Sequence, residues 1–172
     1  MKIIEAMKKQ KELMVKAEDL RKKIGTYCAD NSHETATYGA EQKTKIKEWL
    51  QGHSDVLKEI LKLRIAIQRT NLQTDVTIEL GGKQVTKCIA EWIHRRKELA
   101  GLELQSWQVL TDRNLKEGAI KSSTGEITQV TIRRYYDPSE RDQSVELFRT
   151  EPGVIDRTLE VTNAITEVLE GA

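Results

Sequence analysis

Residues 76–86, VTIELGGKQVT, come nearest to a nucleotide-binding motif in this chain. A phosphate-binding loop requires GxxxxGK followed by Ser or Thr, because its backbone amides surround the phosphate and its hydroxyl holds magnesium. Thr77 stands where the first glycine belongs, and Gln84 stands where the hydroxyl belongs. Apolar and polar residues alternate up to the pair Gly81-Gly82, so the segment predicts a β-hairpin with a two-residue turn instead.

The histidines and cysteines lack the spacing of a metal site. His33, His53 and His94 are scattered, and no HExxH sequence joins them. Cys28 and Cys88 have no CxxC around them, which argues against a disulfide framework or a zinc knuckle. No GxSxG motif and no pair of catalytic carboxylates emerges. The sequence therefore predicts a non-enzymatic protein with no metal and no cofactor, in which His53 is a core histidine.

Two basic segments are candidates for contact with a partner. On a helix, the charges of residues 93–97, IHRRK, would spread around the circumference, so we expect a solvated face there. The stronger candidate interface consists of Arg133, Arg134, Tyr135 and Tyr136. A strand would place alternate members of this run on opposite faces, and Arg and Tyr often anchor interfaces. Packing of the same run on its own helices is the alternative.

Bulk composition disfavours nucleic acid and membrane as partners. The 172 residues contain 28 Lys+Arg and 27 Asp+Glu, and the formal charge of +1 gives no overall attraction to either. No apolar run approaches the roughly 20 residues of a membrane span, and the N-terminal segment lacks the features of a signal peptide. We therefore expect synthesis in a reducing cytosol. Charged residues at 32% and aromatic residues at 5% favour long, solvent-exposed helices.

The elements that must position these residues are mainly helical. A first helix shows apolar residues at alternating steps of three and four and ends at Gly25. After a polar loop, a second helix repeats this pattern. Its predicted core seam consists of Ile46, Trp49, His53, Val56, Ile60, Leu63 and Ile67. Leu50, Leu57 and Leu61 widen the apolar face. The pattern predicts an antiparallel hairpin over residues 2–70 that leaves apolar surface for other helices or subunits to cover.

The rest of the chain predicts two β-hairpins and two helices within a single domain of residues 1–172. Their predicted bounds are a β-hairpin over 75–86, a helix over 86–116, a β-hairpin over 118–136 and a C-terminal helix over 138–169. Asp137-Pro138 gives the last helix a start signal, and Pro152 predicts a kink near residue 152. The expected fold class is mainly α, a long antiparallel helical hairpin or bundle with two small β-hairpin insertions.

Three segments in sequence order carry a resemblance to a known family. They are AIQRTN at residues 66–71, GGKQVT at 81–86 and IAEWIHRR at 89–96. With the strand and the capped terminal helix that follow, this order resembles the septicolysin-like proteins, small helical proteins of undetermined function from bacteria and bacteriophages. The resemblance implies no catalytic residue, and it implies a role in bacteria or their phages.

These observations predict a structural or assembly protein that packs through long amphipathic helices into a larger complex. The best fit is a component of a bacteriophage virion, in its head, neck or tail, made in the cytoplasm and associated with its own copies or with other virion proteins. The alternative is a cytosolic helical adaptor or regulatory binding module that uses the Arg-Arg-Tyr-Tyr run at its rim. A third possibility is an enzyme whose site forms only between subunits.

Overall fold

The computed structural model describes residues 1–169, which form mainly helices together with two separate two-stranded sheets. This confirms the predicted fold class. The sequence predicts one domain, whereas the chain divides into two compact units. Within the described residues, one unit contains Met1–Thr74 and residues 160–169, and the other contains Asp75–Leu159. The division follows from the helical hairpin, whose two long helices contact mainly each other.

The first unit is built on two long helices, α1 (Ile3–Tyr27) and α2 (Gln42–Gln73). They run antiparallel, since Gln42 Nε2 donates to the Tyr27 carbonyl at 2.8 Å near the connecting loop while Lys9 pairs with Glu59 farther along, also at 2.8 Å. A short 3₁₀ turn, Gly39–Glu41, leads into α2. The predicted helical hairpin is therefore present.

Apolar residues spaced three and four positions apart form the core of this hairpin. Among the buried residues of the two helices are Ile3, Ala6, Leu13, Ala17, Val56, Ile60 and Leu63. At the loop end, the rings of Tyr27, Tyr38 and Trp49 contact one another with centroids 5.5 to 5.7 Å apart. Edge-on and tilted contacts of this kind stabilise aromatic clusters, so the three rings fasten the loop to both helices.

The other end of the hairpin is closed by the residues that follow the last helix. The Ile3 amide donates to the Thr166 carbonyl at 2.9 Å, and the Val168 amide donates to the Met1 carbonyl at 2.8 Å. The Leu169 amide donates to the Thr70 hydroxyl at 2.9 Å. Residues 166–169 bond to the start of α1 and the end of α2, and for this reason they do not continue the last helix.

The second unit begins with a β-hairpin of strands β1 (Asp75–Leu80) and β2 (Lys83–Cys88). The turn residues Gly81 and Gly82 have φ of +57° and +76°, values that glycine adopts without strain. Trp92 is fully buried, and its Nε1 donates to the Val76 carbonyl at 2.9 Å. The segment that comes nearest to a phosphate-binding loop is thus the turn of a hairpin that the following helix holds in place.

That helix has three parts: α3 (Ile89–His94), a π-helical turn (Arg95–Leu99) and α4 (Ala100–Gln108). The prediction of one helix over residues 86–116 is wrong at both ends. It starts after Cys88, whose amide donates to Glu91 Oε2 at 2.9 Å. It ends at Gln108, and Arg113 and Asn114, with φ of +54° and +58°, cannot extend it.

The second hairpin pairs β3 (Gly118–Lys121) with β4 (Ile127–Val130) and is shorter than predicted. Beyond β4, the Ile132 amide donates to the Glu117 carboxylate at 2.8 Å instead of to a strand. The last helix, α5 (Pro138–Ile165), begins as predicted with Asp137 accepting from the Ser139 amide at 2.8 Å. It is continuous through Pro152 and ends four residues before the predicted end at 169.

Candidate protein-interaction surface

The four predicted interface residues do not lie on a strand. Arg133, Arg134, Tyr135 and Tyr136 follow β4 in an irregular segment, so they have no alternating strand faces. The structure also divides them by what they contact. Arg134 and Tyr136 contact residues of the same unit, whereas Arg133 and Tyr135 point into solvent, and the Tyr135 side chain is 88% exposed.

Arg134 and Tyr136 join this segment to the end of the preceding helix. The Arg134 guanidinium donates two hydrogen bonds of 2.6 Å to the Asp112 carboxylate, and the Tyr136 hydroxyl lies 3.4 Å from Asp112 Oδ1. The bond from Arg134 lowers the pKa of Asp112, and the same pair raises the pKa of Arg134. Arg141 lies over the Tyr136 ring, 5.6 Å from its centroid, and donates to the Leu110 carbonyl at 2.8 Å. Two of the four residues are therefore used to fold the chain.

The predicted core seam of α2 lies on the side of the helix that faces α1. All seven of its residues, Ile46, Trp49, His53, Val56, Ile60, Leu63 and Ile67, are buried or half-buried. The apolar residues beyond this seam have a different environment. Leu50, Leu57 and Leu61 are 53%, 48% and 60% exposed, although they adjoin the seam along one side of α2. The hairpin therefore presents apolar surface that the described chain does not cover.

A matching row of exposed apolar residues runs along α1. Met7 and Met14 lie seven positions apart, which places them on one side of the helix, and they are 43% and 49% exposed. Met14 lines the same groove as Leu57 and Leu61. We call the surface formed by Met7, Met14, Leu50, Leu57 and Leu61 the uncovered face. The apolar pattern of α2 predicted the contribution of Leu50, Leu57 and Leu61 to this face. The seven-residue spacing of Met7 and Met14 on α1 is the sequence signal that would have indicated the other side, and it was not recognised.

The centre of the uncovered face is a groove of about 280 Å³ between the two helices. Its lining comprises Met14, Ala17, Glu18, Arg21, His53, Leu57, Ile60, Leu61 and Arg64. The floor is apolar and the charged groups lie around the edge, an arrangement typical of grooves that receive an amphipathic helix. We refer to it as the hairpin groove. All of its lining residues belong to the first unit.

The charges around the hairpin groove are predominantly positive. The Glu18 carboxylate is paired with Arg21 and lies 3.7 Å from Lys22, and the hydrogen bond from Arg21 lowers the pKa of Glu18. Arg64 makes a 3.7 Å contact with the Met14 sulfur, and no carboxylate within residues 1–169 forms an ion pair with it. Its charge is therefore available to a carboxylate outside the chain.

The other charged groups that form ion pairs between elements of the second unit include one buried pair, Arg95 with Glu151. Arg95 donates from Nε and Nη2 to the two oxygens of Glu151, each at 2.7 Å, and from Nη2 to Glu103 at 2.7 Å. Glu151 is 2% exposed, and the Phe148 ring centroid lies 5.8 Å from the Arg95 guanidinium. Arg96 pairs with Asp156 at 2.7 Å. The solvated face predicted for residues 93–97 is therefore wrong for Arg95, whereas Arg96 forms its ion pair at the surface.

Neither a metal centre nor a membrane span is found in the part of the chain that the structure describes. No three side chains of His, Cys, Asp or Glu come together there as ligands for one ion. No helix there combines the length and the apolar content needed to cross a bilayer. Comparisons with protein-family models, with curated proteins and with solved structures found no match for this chain. The uncovered face therefore provides the main structural basis for a functional proposal.

Proposed function

We propose that this chain is a non-enzymatic structural protein that enters a larger assembly by burying the uncovered face of its helical hairpin. One observation carries the proposal. Five large apolar side chains, each between 43% and 60% exposed, lie on one face of two long helices, and three of them, Met14, Leu57 and Leu61, line a groove. Contiguous apolar surface of this kind on a folded protein marks a site of association, because water exposure of such surface is unfavourable.

The proposed assembly is a bacteriophage virion, with the chain as a head, neck or tail component. Support comes from the resemblance to the septicolysin-like proteins, which occur in bacteriophages, and from the long amphipathic hairpin, a common element for packing between subunits. The runner-up is a cytosolic adaptor that stays monomeric until its partner arrives. The preformed hairpin groove favours this second candidate too, since a single partner helix would fill it.

The proposal is tested by measuring the mass of the purified chain by light scattering over a range of protein concentrations in low and high salt. We expect the mass to stay close to that of a monomer in low salt and to rise with protein concentration in high salt. Salt strengthens apolar association and screens the positive charge around the hairpin groove. A monomer under every condition would contradict self-association and would support the adaptor.

A pair of matched variants shows whether the uncovered face is responsible. Leu57→Gln with Leu61→Gln replaces two residues of this face that are 48% and 60% exposed. Leu99→Gln with Leu102→Gln replaces two leucines of the second unit that are 43% and 50% exposed. We expect the first pair to keep its helical circular dichroism and to be monomeric, and the second pair to associate like the parent. If both double variants associated to the same extent, the contact between copies would lie outside the uncovered face.

A further inference from the structure

We infer that the hairpin groove is the docking site for an acidic amphipathic helix contributed by a different protein of the assembly. This inference rests on the proposed function, since it names the partner of the same face. The groove provides an apolar floor and the unpaired positive charge of Arg64, and both features restrict what can occupy it.

The floor of the groove selects an apolar row on the occupant. Leu57, Leu61 and Met14 are each about half exposed along the groove and flank the buried side chain of Ile60. An α-helix places apolar residues in a row at i, i+3 or i+4, and i+7, and such a row fits the groove between the two antiparallel helices. Nucleic acid would leave this apolar floor unused, because its binding depends on phosphate contacts and base stacking.

The length of the groove fits about three helical turns. From His53 to Arg64 the lining spans 11 positions of α2, which corresponds to roughly 16 Å at a rise of 1.5 Å per residue. Arg64 lies at one end of this span and contacts the Met14 sulfur at 3.7 Å, whereas Arg21 lines the groove but is paired with Glu18. A docked helix of this length would carry apolar residues in its centre and a carboxylate toward the end where the unpaired Arg64 lies.

The charge of the lining helices selects an acidic occupant and disfavours a second copy of the same face. Together α1 and α2 contain 14 Lys+Arg and 7 Asp+Glu, a formal charge of +7, although the whole chain has a formal charge of only +1. Two such faces brought together at low salt would repel each other. An acidic helix gains attraction at the same surface, and the free guanidinium of Arg64 gives it a specific anchor.

The experiment measures the fluorescence anisotropy of labelled synthetic helices titrated with the full chain in low salt. One probe peptide of about 16 residues carries a leucine row at i, i+3 and i+7 with glutamates beside it, and its matched peptide carries lysine at each glutamate position. We expect the glutamate peptide to bind at least about tenfold more tightly than the lysine peptide, because the unpaired Arg64 and the formal charge of +7 on α1 and α2 attract the first probe and repel the second.

Variants connect this binding to the groove. Leu57→Gln with Leu61→Gln should abolish binding of the glutamate peptide, and Arg64→Gln should weaken it several-fold. Lys58→Gln is the matched control, since Lys58 lies on α2 outside the groove lining and is already paired with Asp55 at 3.1 Å. We expect Lys58→Gln to bind like the parent. A loss of binding in Lys58→Gln equal to that in Arg64→Gln would overturn the role given to Arg64.

The outcomes separate the inference from the proposed function. Equal affinity for the glutamate and lysine peptides would overturn the inference of an acidic partner. A single-stranded DNA oligonucleotide that binds more tightly than the glutamate peptide, and still binds after the Leu57 and Leu61 substitutions, would show a nucleic-acid surface instead. Self-association in low salt that excludes the peptide would make a second copy the occupant. Self-association in high salt without peptide binding would overturn the inference and leave the proposed function. Peptide binding by a chain that is monomeric in both low and high salt would support the inference and would contradict self-association through the uncovered face.

Discussion

At the scale of single residues, the most consequential contact is the ion pair between Arg95 and Glu151. Glu151 is 2% exposed, and both of its oxygens accept from the Arg95 guanidinium at 2.7 Å. A carboxylate removed from water to this extent depends on its partner, and the partner depends on it in turn. Arg95 retains Glu103 as a second acceptor, which limits the loss when Glu151 is changed.

We predict that Glu151→Gln lowers the free energy of unfolding by about 2 to 4 kcal/mol, because it leaves Arg95 partly buried with only one carboxylate. Urea denaturation measures this change. The matched control is Glu146→Gln, since Glu146 pairs with Arg149 at 3.2 Å and both side chains are well exposed. The control should unfold almost like the parent. A similar midpoint for both variants would show that burial of Glu151 contributes little.

Asp112 gives a prediction about pH. Its folded-state pKa is lowered, chiefly by the hydrogen bonds from Arg134. Its contribution to stability is therefore present above its ordinary pKa of about 3.9 and is lost as the pH falls through the lowered value. We expect Arg134→Gln to raise the pKa of Asp112 toward its ordinary value in an NMR titration of the carboxyl carbon. Arg133→Gln, one position away and exposed, should leave this pKa unchanged.

At the scale of elements, the segment after α5 acts as a closure for the helical hairpin. Thr70 is fully buried at the end of α2, where its hydroxyl donates to the Ala66 carbonyl at 2.8 Å and accepts from the Leu169 amide at 2.9 Å. Lys2 and Glu167 form a β-bridge and an ion pair of 3.2 Å beside it. One hydroxyl therefore joins the end of α2 to the C-terminal segment.

We predict that Thr70→Val destabilises the chain by about 1 to 2 kcal/mol, because the Leu169 amide then lacks its acceptor in a partly buried site. Thr70→Ser retains the hydroxyl and is the control. Hydrogen exchange of the Leu169 amide should accelerate in the valine variant and should remain close to the parent rate in the serine variant. An unchanged exchange rate of the Leu169 amide in Thr70→Val would mean that the two backbone bonds, Val168 to Met1 and Ile3 to Thr166, are enough to hold this segment.

At the scale of the whole molecule, neighbouring residues of α2 separate folding from assembly. Ile60 is 6% exposed and Leu61 is 60% exposed. We predict that Ile60→Asp unfolds the hairpin, because it places an unpaired charge in the core. Leu61→Asp should fold normally and should fail to self-associate. Circular dichroism and light scattering on the two variants test this directly. A folded, associating Ile60→Asp would contradict the core seam, and an associating Leu61→Asp would contradict the uncovered face.

Local sequence patterns predicted the elements with periodic apolar residues or a clear turn signal, whereas other element boundaries depend on tertiary contacts. The three-and-four spacing of apolar residues indicated α1 and α2, and the Gly81-Gly82 pair indicated the first hairpin turn, because each signal is local. The end of α4 and the irregular path of residues 131–136 depend on the bonds between Asp112 and Arg134. These partners lie 22 positions apart, so no local pattern reveals them.

The same limit applies to the candidate surface. Exposed leucines beyond the core seam of α2 were visible as a widened apolar face, whereas the pairing of Arg64 with the Met14 sulfur required the fold, since the two residues are 50 positions apart. The candidate run of residues 133–136 was misleading because its composition resembles an interface. Composition alone does not show whether an arginine will meet a carboxylate of its own chain.

The π-helical turn at Arg95–Leu99 has a consequence for mutations that change the length of the gene. Trp92 and Ala100 are both fully buried although they lie eight positions apart, a separation that rotates side chains by about 80° in an uninterrupted α-helix. The turn absorbs one extra residue and keeps both on one side. Loss of the codon for the exposed Lys97 would therefore give a regular helix with the same buried row, whereas loss of the codon for Lys58 in α2 would rotate half of the core seam into water.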